Sequence, residues 1–446
     1  MNPRTTTHHR RDFLRLASAL TCSAGFGAQA QTAGDYKALV CVFLVGGNDG
    51  HNMLVPMEAK AYAAYRGIRG GLALPDGTAQ LLNVATPGGV PYGLNSGLTA
   101  IAPLWGQGKL AAVANVGPLA APTTRAQVLA GSGSLPSNLY SHSDQILQAQ
   151  AGNATGSGGT GWAGRTADAL VARNGSSRFP AAISTHGNAL FCTGAKVASA
   201  SLIPGFDLST NGMNVWPDSA AQARAKGLAE VLTLDQGVSL IQAANRVRQD
   251  AQTLSQLLRS GGSATLSTAF PGTDLGKQLQ QVAQLIKLRA TTGMGRQVFF
   301  CVHGGFDTHS GQAWQHWDLL RQLGEGLAAF YASLLEMGVS NQVTAFTQSE
   351  FGRTLQPSGS GSDHGWGNHQ LVLGGAVRGG NVYGRFPYPA LSGPDDASDR
   401  GVLIPSTSLE QFGGTLARWF GVPEAELGTV FPNLKSFSPA DLGFMA

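Results

Sequence analysis

Eight histidines follow residue 30, and five of them fall between His303 and His369. Acids accompany them in glycine-rich segments. Gly304-Gly305-Phe306-Asp307-Thr308-His309 sets a carboxylate and an imidazole two residues apart. Gln348-Ser349-Glu350-Phe351-Gly352-Arg353-Thr354 carries a second acid, and Ser362-Asp363-His364-Gly365-Trp366-Gly367-Asn368-His369 carries a third with two more imidazoles. Near the front, Gly46-Gly47-Asn48-Asp49-Gly50-His51-Asn52 has the same character. Converging carboxylates with no cation repel and raise one another's pKa. A divalent metal removes that repulsion, and mixed Asp/Glu/His sets suit zinc, manganese or iron. The competing explanation is a set of glycine turns whose Asp and Asn side chains cap nearby helices, Asp49 and Asp363 first among them.

Other residues widen the options. Arg353 presents a planar fork suited to a phosphate, sulfate or carboxylate oxyanion; its alternative is a salt bridge to Glu350, three residues before it. Asn52 and Asn368 either bind substrate oxygens or fix their own loops. Tyr140-Ser141-His142-Ser143-Asp144 puts two hydroxyls around an imidazole. This is not the spacing of a Ser-His-Asp triad, and Ser141 equally suits the N-cap of a helix beginning near Asp144. No G-x-S-x-G elbow or P-loop is present, and no G-x-G-x-x-G follows the first strand, which argues against those chemistries.

The acid and imidazole segments need elements to aim them. Residues 38–45 are a continuous apolar run ended by Gly46-Gly47, the pattern of a buried parallel strand. Similar runs occupy 110–116, 181–185, 297–303, 343–347 and 370–373, with helical patterns at 98–105, 166–173, 220–258, 275–290, 314–337 and 409–420. Alternating strands and helices predict an α/β fold with a doubly wound, mostly parallel sheet flanked by helices. In such sheets functional residues collect beyond the carboxyl ends of the strands. Residues 117–163 read as long surface loops. Residues 218–296 read as a helical insertion, two helices joined by a Gly/Ser-rich stretch at 260–267. No repeat or linker divides residues 31–446, which read as one domain.

Composition narrows the class. Lys and Arg number 30 against 26 Asp and Glu. Residues 1–30 hold four of the basic residues and one acid, leaving 26 against 25 beyond them. A nucleic-acid binder working through a basic face is therefore excluded. After residue 30 no uncharged apolar run reaches about 18 residues, so no membrane-spanning segment is expected. Residues 1–30 themselves read as a signal peptide. Arg10-Arg11 with Phe13-Leu14 is similar to a twin-arginine leader, and Ala28-Gln29-Ala30 offers small residues at a cleavage site. The expected partner is the twin-arginine export machinery and the expected location periplasmic or extracellular. Cys22 sits in a poor lipobox. Cys41, Cys192 and Cys301 are odd in number and read as buried thiols, not a disulfide framework.

One ordered set of motifs resembles a known family. Gly46-Gly47-Asn48-Asp49-Gly50, Ser141-His142, Gly161-Trp162-Ala163-Gly164-Arg165, Gly305-Phe306-Asp307-Thr308-His309, Ser349-Glu350-Phe351-Gly352-Arg353-Thr354, Asp363-His364-Gly365 and Gly374-Gly375-Ala376-Val377-Arg378-Gly379-Gly380 look like the exported domain of unknown function 1501. The resemblance runs from about residue 35 to the C-terminus. It implies the alkaline-phosphatase-like fold of phosphatases, sulfatases and cofactor-independent phosphoglycerate mutases, with a metal site above the strand ends. It further implies metal ligation by Asp49 after the first strand, by Asp307 and His309 after a later one, by Glu350 where that superfamily more often has Asp-His-Gly, and by His364 or His369. Alternatively Asp363-His364-Gly365 takes the Asp-His-Gly part. Ser141 is the nearest counterpart of the hydroxyl nucleophile, with His142 beside it.

The expected activity is metal-dependent hydrolysis of phosphate or sulfate esters, small or polymeric, with a divalent cation (Zn, Mn or Ca) and with Arg353 and Asn52 on the transferred group's oxygens. The alternative is an exported binding or assembly protein that keeps the fold with a degenerate site.

Overall fold

The run from Lys37 to Leu44 forms the central strand, β1, and all but its first residue are buried. That is what a strand covered by helices on both faces demands. A computed structural model describes residues 35–132, 134–156, 158–197, 199–204, 215–234, 237–242, 244–245, 248–249 and 265–446. The leader at 1–30, with Cys22, lies outside the described residues, as does much of the segment joining the two helices of the expected insertion. Residues Tyr36–Ala446 make one unit.

The remaining strands are β2 (Leu54–Pro56), β3 (Leu81–Ala85), β4 (Pro91–Asn95), β5 (Leu110–Gly117), β6 (Ala182–Ser184), β7 (Ser199–Ser201), β8 (Arg296–His303), β9 (Val343–Ser349), β10 (Asn368–Gly374), β11 (Val382–Tyr383) and β12 (Thr407–Ser408). The main sheet runs β11-β5-β10-β9-β1-β8-β6-β7, with β12 also on β5. β1 pairs in parallel with both β8 and β9, and Leu44 lies level with His303 and Ser349. All three strands therefore end at the same edge. β10 runs antiparallel to β5 and β9, so the sheet is mixed but mostly parallel, as the alternation of elements implies. A separate antiparallel sheet, β2-β4-β3, was not signalled by the sequence.

Helices cover both faces. Asp274–Lys287 is capped by the Thr273 hydroxyl and buries Leu275, Leu279, Val282 and Ile286, an i, i+4, i+7, i+11 stripe. It is thus part of the core. Asp218–Val231 buries no residue. Leu409–Phe420 begins with a capping box between Ser408 and Gln411. The helical pattern at 98–105 breaks into two short turns, Ser96–Ala100 and Pro103–Gly106, because Pro103 cannot donate into a continuing helix.

The stretch read as loops contains a helix, His142–Ala151, whose buried residues are Gln145, Gln148, Ala149 and Ala151. Two of those four are amides, so no apolar stripe announced it. Cys41, Cys192 and Cys301 are free and buried, and burial pushes the Cys301 thiol up to about 12. No helix among the described residues is long and apolar enough to cross a membrane.

Gly46 locks the site-bearing edge. Its φ is +117°, and a Cβ there would stand 2.3 Å from the Asp307 nitrogen. Only glycine lets the turn after β1 touch the loop after β8 this closely.

Candidate metal centre

The loop after β8 carries Asp307 and His309 to that edge, the helix beginning at His142 brings its first imidazole, and the segment before β10 brings His364. Asp307 Oδ1 lies 3.0 Å from His309 Nε2, 3.4 Å from His364 Nε2 and 3.5 Å from His142 Nε2. The Nε2 atoms of His309 and His364 are 3.0 Å apart. Donor atoms of His142, Asp307 and His364 all lie within 4.8 Å of one another. Four ligands around a tetrahedral zinc at its usual bond lengths stand about 3.3 Å apart. The spacing suits such an ion.

The opposite ring nitrogens fix the tautomers. His142 Nδ1 is 3.0 Å from Glu350 Oε1, His309 Nδ1 is 3.2 Å from Asp363 Oδ1, and His364 Nδ1 donates to the Tyr140 carbonyl at 2.7 Å. Each of these partners is an acceptor, so in each neutral ring Nδ1 carries the proton and Nε2 presents a lone pair. Lone pairs on His309 and His364 at 3.0 Å repel unless a proton or a cation lies between them. Burial first, and then the Arg353 and His142 charges, hold the His364 pKa below its usual value against the pull of Tyr140 and Asp307. A proton on His364 is therefore disfavoured. His142 Nε2 is buried without a hydrogen-bond partner. An orphaned imidazole nitrogen facing a carboxylate, its ring anchored through the far nitrogen, is the arrangement that metal sites use. The donor set fits zinc or manganese; calcium, which takes oxygen ligands, fits poorly.

The anchors are held in turn. Glu350 is fully buried, and its Oε1 also accepts from the Gly46 nitrogen at 2.7 Å. Its hydrogen bond raises the His142 pKa, against burial. Asp363 is bound by Arg400 at 2.5 Å. Phe351 stacks under the His364 ring, centroids 4.7 Å apart. Tyr140 has φ +74°, a region bulky residues rarely occupy, and this turns its carbonyl toward His364. Tyr140 and Arg400 carry no signature in the sequence: one acts through its backbone, the other through distant folding.

Arg353 departs from expectation. It is buried, and Nε donates to the Gly47 carbonyl at 2.9 Å, Nη1 to Ser362 at 3.0 Å, and Nη2 to Phe306 at 3.1 Å and to Gly46. Asp307 takes Nη2 at 2.5 Å, and His309 Nε2 lies 3.4 Å from Nη1. Four of its five N–H donors are spent on other protein acceptors and the fifth faces His309, and its ion-pair partner is Asp307, not Glu350. Burial opposes ionisation of Asp307, but the Arg353 hydrogen bond and charge outweigh it and hold the carboxyl below its usual pKa.

Four expected site residues are placed apart from this cluster or turned from it. Asp49 is buried against Arg69 and Gln312, so a guanidinium and not a shared metal neutralises it. Asn52 is spent on Tyr65, Arg69 and the Leu72 carbonyl. His369 accepts from the Asn115 backbone at 3.0 Å and stacks on Phe386. Ser141 is the N-cap of His142–Ala151, its hydroxyl 2.6 Å from Asp144. Glu350 and Asp363 meet the cluster through imidazoles. Asn368 ties the Asn48 and Phe351 carbonyls together.

Around Asp49, burial pushes His51 and His316 down to about 4 and His369 to about 3. Unfolded, each titrates near 6.5. Between those values the unfolded chain binds more protons, so the stability these groups contribute is complete above pH ~6.5 and lost as pH falls toward ~4. Urea midpoints should drop clearly between about pH 7.5 and about pH 5; equal midpoints would contradict the buried neutral state.

The profile of the family described as Protein of unknown function (DUF1501) matches residues 36–399. No curated protein matches the chain. Ten solved chains match it. One is Ps i-CgsB in complex with k-i-k-neocarrahexaose, at TM-score 0.35 and 10% identity over 91% of this chain and 77% of that one. Another is the PsFucS1 sulfatase from Pseudoalteromonas sp., at TM-score 0.33 and 11% identity over 94% and 73%. At these scores neither likeness carries an argument about this chain. The family match spans most of the α/β unit and includes His142, Asp307, His309 and His364, and the chain belongs to the DUF1501 family.

Proposed function

We propose that this chain is an exported metal-dependent hydrolase of phosphate or sulfate esters, with His142, His309, His364 and Asp307 holding one divalent cation. The observation that carries the reading is the convergence of three imidazole Nε2 atoms on one carboxylate oxygen while every Nδ1 is tied to an acceptor. The charge balance supports an anionic substrate. Asp307, Asp363 and Glu350 outnumber Arg353 and Arg400 by one in this neighbourhood; a divalent ion turns that excess of one negative charge into one positive. The side chains of Asp307 and His309 are about half exposed, at 48% and 45%, so the site is open to a substrate.

A zinc-like ion held by His142, His309, His364 and Asp307 would supply Lewis-acid polarisation of an ester oxygen and a lowered pKa for bound water. The chain's own part is placement: Glu350, Asp363 and the Tyr140 carbonyl hold three rings, and Arg353 holds Asp307. With Ser141 committed to its cap, water attacks; its oxygen ends on phosphorus or sulfur and a proton on the leaving alcohol. Export rests on Arg10-Arg11 and the Ala28-Gln29-Ala30 site.

Purified without added metal, the protein should hold about one zinc or manganese per chain and release nitrophenol from phosphate or sulfate esters. His142→Ala should lower both. Absence of metal together with chelator-insensitive activity would refute the reading. The engaged Ser141 and Arg353 favour a second one, an exported binding or assembly protein; bound metal without turnover of either ester is its expected result.

A further inference from the structure

A cleft of about 810 Å³ opens beyond the carboxyl ends of β1, β8 and β6, within the range of small-molecule sites. Three features join it to the metal cluster. Val45 on its wall precedes Gly46, whose nitrogen donates to Glu350. Gly304 on its wall lies three residues before Asp307. Ile146 and Gln150 follow His142 at i+4 and i+8, so one helix face carries a cluster imidazole and then lines the cleft.

The lining has a distinct chemistry. Its floor is apolar, from Phe43, Val302, Ile146 and Leu319. Thr185 and Gln278 are tied into the wall, Thr185 Oγ1 donating to Gln278 and Gln278 Nε2 to the Val302 carbonyl. The rim offers unused groups. Gln150 accepts from the Phe191 nitrogen and keeps its amide hydrogens. Gln322 donates to Asp318 and keeps its carbonyl. His186 and Asn188 are exposed, and among the described residues their side chains have no intramolecular partner. The two charged lining residues, Asp274 and Lys277, sit 3.8 Å apart and offset each other. Neutral donors and acceptors together, over an apolar floor, match a ring that has a C–H face and a hydroxyl edge, since a hydroxyl both donates and accepts. They offer no fixed charge to a nucleotide or a polyanion.

We propose that this cleft binds the alcohol portion of the ester, and that this portion is an uncharged polyhydroxylated unit of the saccharide class. The inference rests on the hydrolase reading for its place in the reaction, but the cleft's binding can be read alone.

Saturation-transfer NMR of the full chain, metal-free and metal-loaded, with a panel of neutral mono- and disaccharides at millimolar concentration is the test. Transfer to at least one saccharide is expected in both forms. Asn188→Ala combined with Gln322→Ala should weaken it about tenfold, roughly the scale of two lost hydrogen bonds; both residues are solvent-accessible, and an unchanged melting curve verifies the fold. No transfer to any sugar, or equal transfer to the double variant, overturns the assignment. So does preferential binding of an aliphatic alcohol such as hexanol. Saccharide binding by a chain that holds no metal and releases no nitrophenol removes the hydrolase reading and keeps the cleft. Nitrophenol release without saccharide binding does the reverse.

Discussion

Asp307→Ala should strip the protein of its metal, abolish ester hydrolysis, and lower the melting temperature to a value that chelator no longer changes. The residue serves two cations. Its Oδ1 faces all three imidazoles and also pairs with Arg353 at 2.5 Å. Removal takes the only carboxylate that faces all three imidazoles among the described residues. It also leaves a buried guanidinium without its counter-charge, a loss that the 48% exposure of the Asp307 side chain screens to about 1 kcal/mol. Loss of a ligand bound only by the folded state adds about 4 kcal/mol at a thousandfold excess over Kd. Activity should fall by at least about 10³-fold, more than the loss of a single oxyanion donor costs. Melting curves with and without chelator on wild type and variant decide the matter. A wild type whose melting temperature ignores chelator, beside a variant that melts like it, would end the metal assignment.

Arg353→Ala is expected to unfold the chain or come close. The side chain joins the carbonyls of Gly46, Gly47, Phe306 and Ser362 to Asp307, bridging the turn after β1, the loop after β8 and the segment before β10. Each carbonyl left unpaired in the interior costs about 1–3 kcal/mol. Even partial compensation by water leaves a loss on the order of 4 kcal/mol, a large share of the stability of an ordinary domain. Arg353→Lys should recover little, because a point ammonium cannot span acceptors arranged around a planar fork. Urea denaturation monitored by circular dichroism gives the answer. If Arg353→Ala keeps stability within about 1 kcal/mol of wild type and loses only activity, the guanidinium binds substrate after all.

This result reverses the reading that residue types alone suggest, and the reason is physical. Arg353 looks like an oxyanion binder because a short-range pattern cannot reveal which carbonyls fold around it: those of Gly46 and Gly47 come from more than 300 positions away. Asp49 fails as a shared ligand for the same reason, since Arg69 reaches it from another helix. No imidazole follows Glu350 in sequence; His142, 208 positions earlier, meets it in space. What was legible is what the strands dictate. The apolar runs at 38–45 and 297–303 read as buried strands, and the glycine turns beyond the strands bring Asp307, His309 and Glu350 to one edge. His364 was legible as a candidate, but its selection over His369 depends on strand geometry: His369 lies within β10 and is used by the Asn115 backbone of β5.

The group that orients His364 is a backbone carbonyl, that of Tyr140. No side-chain replacement at position 140 can delete it, so an alanine scan would score that position as unimportant. Tyr140→Gly would even relax the φ of +74°. The contact is vulnerable to a different class of change: inserting or deleting one residue between Ser137 and Ser141 would shift the carbonyl while leaving every side chain of the cluster in place. Sequence comparison across the family should therefore show loop length conserved here more strictly than residue identity.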